Sequence, residues 1–271
     1  MTGTGEEKRM DDLLRYGRQK TVVVTGADRG LGYELVRQYL ERGDRVFAGK
    51  YRTNWHLLEG LKERWPETLD IVPLDVRSQE SVRRAAELIL QKTDAVDVLI
   101  NNAGVWLDHD TGTILEDRID YEAILEQIDV NALGALRVTQ ALIGAVLNSF
   151  DQLVVNVSSE AASMTECAKD SQFGYCMSKA ALNMASCIVL NGIRKRGGAV
   201  INLHPGWMQS VIGESAKPDA PYCEPARPGE VKFYTTPEVT ARGFLKILDE
   251  PERFSGHMPG FVNYRGDRMN W

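Results

Sequence analysis

Between Thr21 and Gly206 the chain alternates short β-branched runs with stretches of helical period. This alternation limits the possible folds more than any other feature. TVVVTGA (21–27), RVFAGKY (45–51), LDIVPLDV (69–76), VDVLINNAG (96–104), QLVVNVSS (152–159) and GAVINLHPG (198–206) read as buried strands. Residues 33–42, 57–64, 80–91, 121–148 and 175–196 carry helical spacing between them, with Gly43 and Pro66 as stops. Strands this apolar need cover on both faces, and helical crossovers make them parallel. Right-handed connections then give an α/β, doubly wound sheet of Rossmann type, a single domain over 20–271. The irregular stretch 208–236, rich in Pro, Gly and charge, follows the sixth strand at the edge where such sheets bind ligands. It reads as a substrate lid.

The formal net charge of -6 and pI near 5.4 argue against a nucleic-acid partner, which needs a basic face. They leave room for a phosphorylated small molecule held by backbone N–H groups. Cys167, Cys176, Cys187 and Cys223 form no C-x-x-C pair and suggest neither a metal site nor a disulfide framework. They read as reduced thiols of a cytoplasmic protein. No uninterrupted apolar run approaches the roughly 18 residues of a membrane span. The first 20 residues lack the apolar core of a secretory signal, and 1–19 read as a mobile arm, either an idle tail or an oligomer contact.

The first strand runs into TGADRGLG (25–32), with Gly26, Gly30 and Gly32 at a strand-to-helix turn. Glycines there let the backbone approach a pyrophosphate, and the helix N-terminus supplies N–H groups and positive dipole. A glycine trio alone is weak; its place between a strand and a helix gives it meaning. Farther on, YCMSK (175–179) sets Tyr175 and Lys179 one helical turn apart on one face. A lysine charge beside a phenol favours the phenolate, which suits proton transfer. Taken alone, the pair reads more readily as a surface tyrosine beside a solvated lysine.

Seven motifs in order settle the matter: TGADRGLG, LDV (74–76), NNAG (101–104), VNALG (130–134), VNVSS (155–159), YCMSK and HPGWMQS (204–210). Together they resemble the short-chain dehydrogenases/reductases, in the single-domain branch and its C-factor-like and carbonyl-reductase-like subgroup. The resemblance covers 20–210 well and the remainder more loosely.

It implies hydride transfer between a nicotinamide and a ketone, aldehyde or secondary alcohol. Tyr175 is then the general acid or base. Lys179 supports it and bonds the nicotinamide ribose, and Asn131 bends its helix and holds a proton-relay water. Ser159, the second serine of its pair, faces the substrate oxygen, although Ser158 and Ser159 could instead be turn residues. Gly26, Asp28, Arg29, Gly30, Leu31 and Gly32 form the phosphate loop. Asp75 and Val76 meet the adenine. Asn101 ties strands together, while Asn102, Ala103 and Gly104 close the groove. Pro205, Gly206, Trp207 and Ser210 border the nicotinamide, Ser210 standing where the family often has threonine. Trp207 is either a pocket wall, touching substrate with Ser159 and Tyr175, or core. The 160–173 segment resembles a modest insertion beside the pocket. The family also implies a homodimer or homotetramer through helices 121–148 and 175–196.

An NAD enzyme of this fold carries an acid at the end of the second strand. Here that end reads Lys50, Tyr51, Arg52, and Arg29 lies in the glycine loop where NADP-preferring relatives often carry a base. Lys50, Arg29 and Arg52 are expected to surround a 2′-phosphate, which makes NADP(H) the expected cofactor. No metal is expected. The alternative is an NADP(H)-binding regulatory or signalling protein of the same fold.

Overall fold

The computed structural model describes residues 17–107, 112–116, 118–209 and 235–271. Seven strands form one parallel sheet: β1 (Thr21–Val24), β2 (Arg45–Lys50), β3 (Leu69–Pro73), β4 (Val98–Asn101), β5 (Leu153–Val157), β6 (Ala199–His204) and β7 (Gly260–Asn263). Their order is β3-β2-β1-β4-β5-β6-β7, and every pairing is parallel. The order reverses direction between β1 and β4, which opens a crevice at the carboxyl ends of those strands.

The helices are α1 (Gly30–Glu41), α2 (Leu57–Arg64), α3 (Gln79–Leu90), α4 (Tyr121–Ile128), α5 (Ala135–Leu147), α6 (Phe173–Ile193) and α7 (Pro237–Asp249). Side chains alternate across the strands and fill two cores. Val22, Val24, Val98 and Ile100 face one core with Leu35 of α1 and Phe244 of α7. Val23, Leu99 and Val154 face the other, with Val82 of α3, Leu142 of α5 and Leu190 of α6.

The sequence-derived strands run one to three residues past the observed carboxyl ends, where loop residues such as Gly26, Tyr51, Asp75, Asn102, Ser158 and Pro205 line the crevice. The predicted helix 121–148 is interrupted by a π-helical segment, Asp129–Gly134, which contains Asn131. Two elements were not anticipated, α7 and β7. Thr236 caps α7, its side chain accepting from the Val239 N–H, with Pro237 in the first turn. β7 joins the edge of β6 in register Ile201↔Gly260 to His204↔Asn263.

Helices 121–147 and 173–196 are long and apolar enough to cross a membrane by length and composition, a property the uninterrupted-run criterion missed. In this fold Val138, Leu142, Leu190 and Ile193 on them pack into the core. Most of the arm (1–16), most of the expected lid (210–234) and Ser210 lie outside the described residues. The chain is already held to the domain at Arg18, whose guanidinium pairs with Asp97 at 2.8 Å and Asp151 at 2.9 Å.

Candidate active site

The loops after β1 and β4 are laced together. Thr25 Oγ1 accepts from the N–H groups of Asn102 and Ala103, both at 3.0 Å. Asn102 Nδ2 donates to the carbonyls of Thr25 and Gly26, both at 2.9 Å. Gly26 has φ +60, and a Cβ there would lie 2.7 Å from Ala103 Cα. A Cβ on Gly32 would lie 2.6 Å from Asn102 Nδ2. Neither position tolerates a side chain, so the bare backbone forms the floor of a groove of about 350 Å³. Leu31 lines the groove, and Gly30 is buried with φ +54 at the start of α1.

At one end the loop after β2 folds onto the glycine turn. The Asp28 carboxylate accepts the N–H of Tyr51 at 3.1 Å and of Arg52 at 2.8 Å. Burial raises its pKa, and those N–H groups oppose the rise. Asp28 therefore shapes the groove by gripping backbone. The Arg29 guanidinium lies 4.3 Å from the Trp55 ring centroid. Burial, and secondarily the nearby Arg52 charge, push its pKa down to about 10. Two crowded cations at a groove mouth make an anion-accepting corner. Lys50 does not complete it. Its ammonium pairs with Glu59 Oε1 at 2.6 Å, and it does not line the groove.

Asp75 and Val76 line the same end, where the Asp75 carboxylate accepts the Arg77 N–H at 2.9 Å. Arg77 also donates to Tyr51 Oη at 3.2 Å and pairs with Glu126 at 2.7 Å. Sequence reasoning missed Trp55, Arg77 and Glu126. Their contacts join residues far apart in the chain, and no local pattern marks them.

At the other end stands α6. Gln172, in the left-handed conformation at φ 63, precedes it. A Cβ on Gly174 would lie 3.1 Å from Ile124 Cα, so the start of α6 sits hard against α4. Tyr175 and Lys179 both line the groove. The Lys179 ammonium is buried, lies 5.7 Å from the Tyr175 ring centroid, and donates to the Val157 carbonyl at 2.8 Å. Desolvation lowers its pKa to about 8. Trp106, also unanticipated, sets its ring 6.1 Å from that of Tyr175.

Asn131 approaches from the π segment. Its Nδ2 donates to Val105 O and Ser178 Oγ, both at 2.9 Å, and its Oδ1 accepts the Val105 N–H at 2.8 Å. A Cβ on Gly104 would lie 3.2 Å from Asn131 Oδ1 and 3.6 Å from Lys179 Nζ, so Gly104 lets the two side chains converge. Single-turn π segments recur at functional sites.

The two serines are distinguished by their partners. Ser158 lines the groove, but its hydroxyl donates to buried Asn183 Oδ1 at 2.7 Å. Ser159, the expected substrate-facing serine, does not line the groove; its Oγ accepts the Ala161 N–H at 3.1 Å, which uses one lone pair and leaves its proton to donate. Beneath them Asn101, Asn156 and Asn202 form a ladder across β4, β5 and β6, linked at 2.9 and 3.3 Å. Asn101 thus ties the strands, as expected. After β6, Pro205 and Met208 line the groove, while Gly206 and Trp207 sit in the turn between them, Trp207 half exposed rather than core.

The profile of the short chain dehydrogenase family matches residues 20–221. The chain is 32% identical over 231 residues to a 1-hydroxy-2-glutathionyl-2-methyl-3-butene dehydrogenase of Rhodococcus sp. (strain AD45), covering 84% of this chain and 90% of that one. It is 34% identical to C-signal of Myxococcus xanthus over 66% of this chain and 95% of the relative. Its fold superposes with TM-score 0.75 on the NADPH-bound carbonyl reductase from chicken fatty liver, at 27% identity, covering 94% of this chain and all of the other.

A doubly wound sheet, a glycine floor at its switch point, and a tyrosine and buried lysine at the far end define a nicotinamide-dependent oxidoreductase. The chain belongs to the short-chain dehydrogenase family.

Proposed function

We propose that the protein is an NADPH-dependent carbonyl reductase in which Tyr175 is the general acid, or the base for alcohol oxidation. One observation carries the reading: the groove begins at a backbone floor flanked by Arg29 and Arg52 and ends at Tyr175 and Lys179. The side-chain-free floor over Gly26 and Gly32 suits a pyrophosphate at the N-terminus of α1. Arg29 and Arg52 would take a 2′-phosphate. Asp75 and Val76 would border the adenine, and Lys179 and the Pro205–Trp207 turn the nicotinamide riboside. When bound, the nicotinamide supplies the hydride or accepts it.

Tyr175 donates its proton to the carbonyl oxygen. Below about pH 8 Lys179 is positively charged and steadies the phenolate that remains. Ser159, with its proton free to donate, polarises the same oxygen. Asn131 holds the strand β4 loop and α6 in register around these groups.

Titration with NADPH and, separately, NADH tests the cofactor assignment through quenching of tryptophan emission. Tight NADPH and weak NADH binding is expected; equal binding overturns the role of Arg29 and Arg52.

A nucleotide-binding signal with little turnover is the second reading, favoured by the likeness to C-signal. Turnover by wild type decides between them. The protein is further proposed to be cytoplasmic and to form a homodimer or homotetramer. Leu125, Leu133 and Leu136 on one chain segment and Met177, Met184 and Ile188 on α6 expose large apolar side chains that a second copy would cover.

A further inference from the structure

Glu160 directly follows Ser159 and reaches across to the turn after β6. Its Oε1 accepts the indole N–H of Trp207 at 2.7 Å, and its Oε2 lies 3.6 Å from His204 Nε2. Its own N–H donates to His204 Nδ1 at 3.2 Å. With Nδ1 as acceptor, a neutral His204 carries its proton on Nε2, facing the carboxylate. One residue thus grips the first and fourth positions of the turn His204–Pro205–Gly206–Trp207.

The rest of that turn is held from the opposite side. Thr240 Oγ1 donates to the Pro205 carbonyl at 3.1 Å. A Cβ on Gly206 would lie 2.8 Å from the Tyr264 ring. The Gln209 N–H donates to the Thr235 carbonyl at 3.0 Å. These contacts fix the backbone. The Trp207 indole, 48% exposed, is held in turn by the Glu160 carboxylate. The carboxylate–indole bond lies at an exposed side chain, one residue from Ser159, the serine proposed above to polarise the carbonyl. Pro205 and Met208, on either side of the turn, line the groove, and Trp106 already stands beside Tyr175.

We propose that Glu160 is a positioning residue that fixes Trp207 as a wall of the carbonyl-binding site, which thereby selects flat aryl or conjugated carbonyls. The inference rests on the carbonyl-reductase reading. Glu160 itself touches neither substrate nor cofactor; it acts through the indole. A flat π-surface gains from an aromatic wall only while that wall is held in place.

The test compares Glu160→Ala, Glu160→Gln, Trp207→Phe and the Glu160→Ala/Trp207→Phe pair, using acetophenone and NADPH. Glu160→Ala is expected to raise KM for the ketone by roughly tenfold while kcat and NADPH affinity stay within about threefold. Glu160→Gln keeps an oxygen acceptor and is expected to restore most of the loss. Trp207→Phe keeps a ring but loses the N–H, and the double variant is expected to be no worse than the worse single. Additive losses, or a Glu160→Ala protein with wild-type KM, overturn the proposal.

Iodide quenching of tryptophan emission in the cofactor-free proteins gives a second readout, independent of turnover. Glu160→Ala is expected to raise quenching in wild type and to leave it unchanged in the Trp207→Phe background. No rise in wild type overturns the clamp. If wild type reduces no carbonyl but the quenching result holds, the reductase reading fails, and with it the proposed selection of aryl carbonyls, while the Glu160–Trp207 clamp stands.

Discussion

The ammonium of Lys50 is bound to the carboxylate of Glu59 at 2.6 Å, and that single pair takes Lys50 out of the set proposed to select the cofactor. Position 50 ends β2, where the fold keeps its ribose-reading residue, and on sequence alone Lys50 belongs with Arg29 and Arg52. Glu59 lies in the first turn of α2 and draws the lysine away. Arg29 and Arg52 remain at the groove. Replacing either with alanine is expected to lower the NADPH-over-NADH preference by about 10- to 100-fold, the worth of one charge-assisted contact of roughly 1.5–3 kcal/mol. Lys50→Ala is expected to change the preference by less than about threefold. Ratios of dissociation constants for the two cofactors check both statements.

Lys179 is buried with a pKa near 8, below its ordinary 10.5. Between those values the unfolded chain binds more protons than the folded one, so this group makes stability rise with pH. Below about pH 8 the full cost of burying the charge stands, and above about 10.5 it has gone. The span corresponds to a few kcal/mol. Denaturation of wild type and Lys179→Met across this pH range, without cofactor, isolates the effect. Wild type is expected to gain stability relative to the variant as pH rises from about 8 towards about 10.5. A constant difference between the two would remove the burial argument.

Asn131 makes three hydrogen bonds of 2.8 to 2.9 Å, two of them to the backbone of Val105. Asn131→Ala leaves those backbone groups without their side-chain partner and frees the loop that carries Trp106. A loss of about 2–4 kcal/mol is expected, or a fall in Tm of about 5–12 °C for a domain of this size. Thermal unfolding checks the stability, and kcat is expected to fall with it because the loop beside Tyr175 loosens.

Much of this architecture was legible because it is written locally. β-Branched runs, glycine turns and the Tyr175–Lys179 spacing need only neighbours in sequence, and six of seven strands followed from them. β7 escaped because GFVN is short and gains its meaning from the edge of β6. Helix α7 does carry a local signal, Thr236 before Pro237. The π segment escaped because periodicity over 121–148 averages across one irregular turn. In the site, Trp55, Trp106 and Glu160 act through contacts with residues far along the chain, to Arg29, Tyr175 and Trp207. Lys50 shows the converse, since its position matched the motif and its salt bridge did not.

The central claim is that Tyr175 moves the proton in an NADPH-driven carbonyl reduction. The decisive measurement is the loss of reduced-nicotinamide absorbance with a panel of aryl aldehydes and ketones, for wild type and Tyr175→Phe side by side. Wild type is expected to reduce members of the panel. Tyr175→Phe is expected to bind NADPH equally well and to lose about 10²- to 10⁴-fold in kcat, the usual worth of a general acid. A Tyr175→Phe protein that turns over at the wild-type rate would contradict the account.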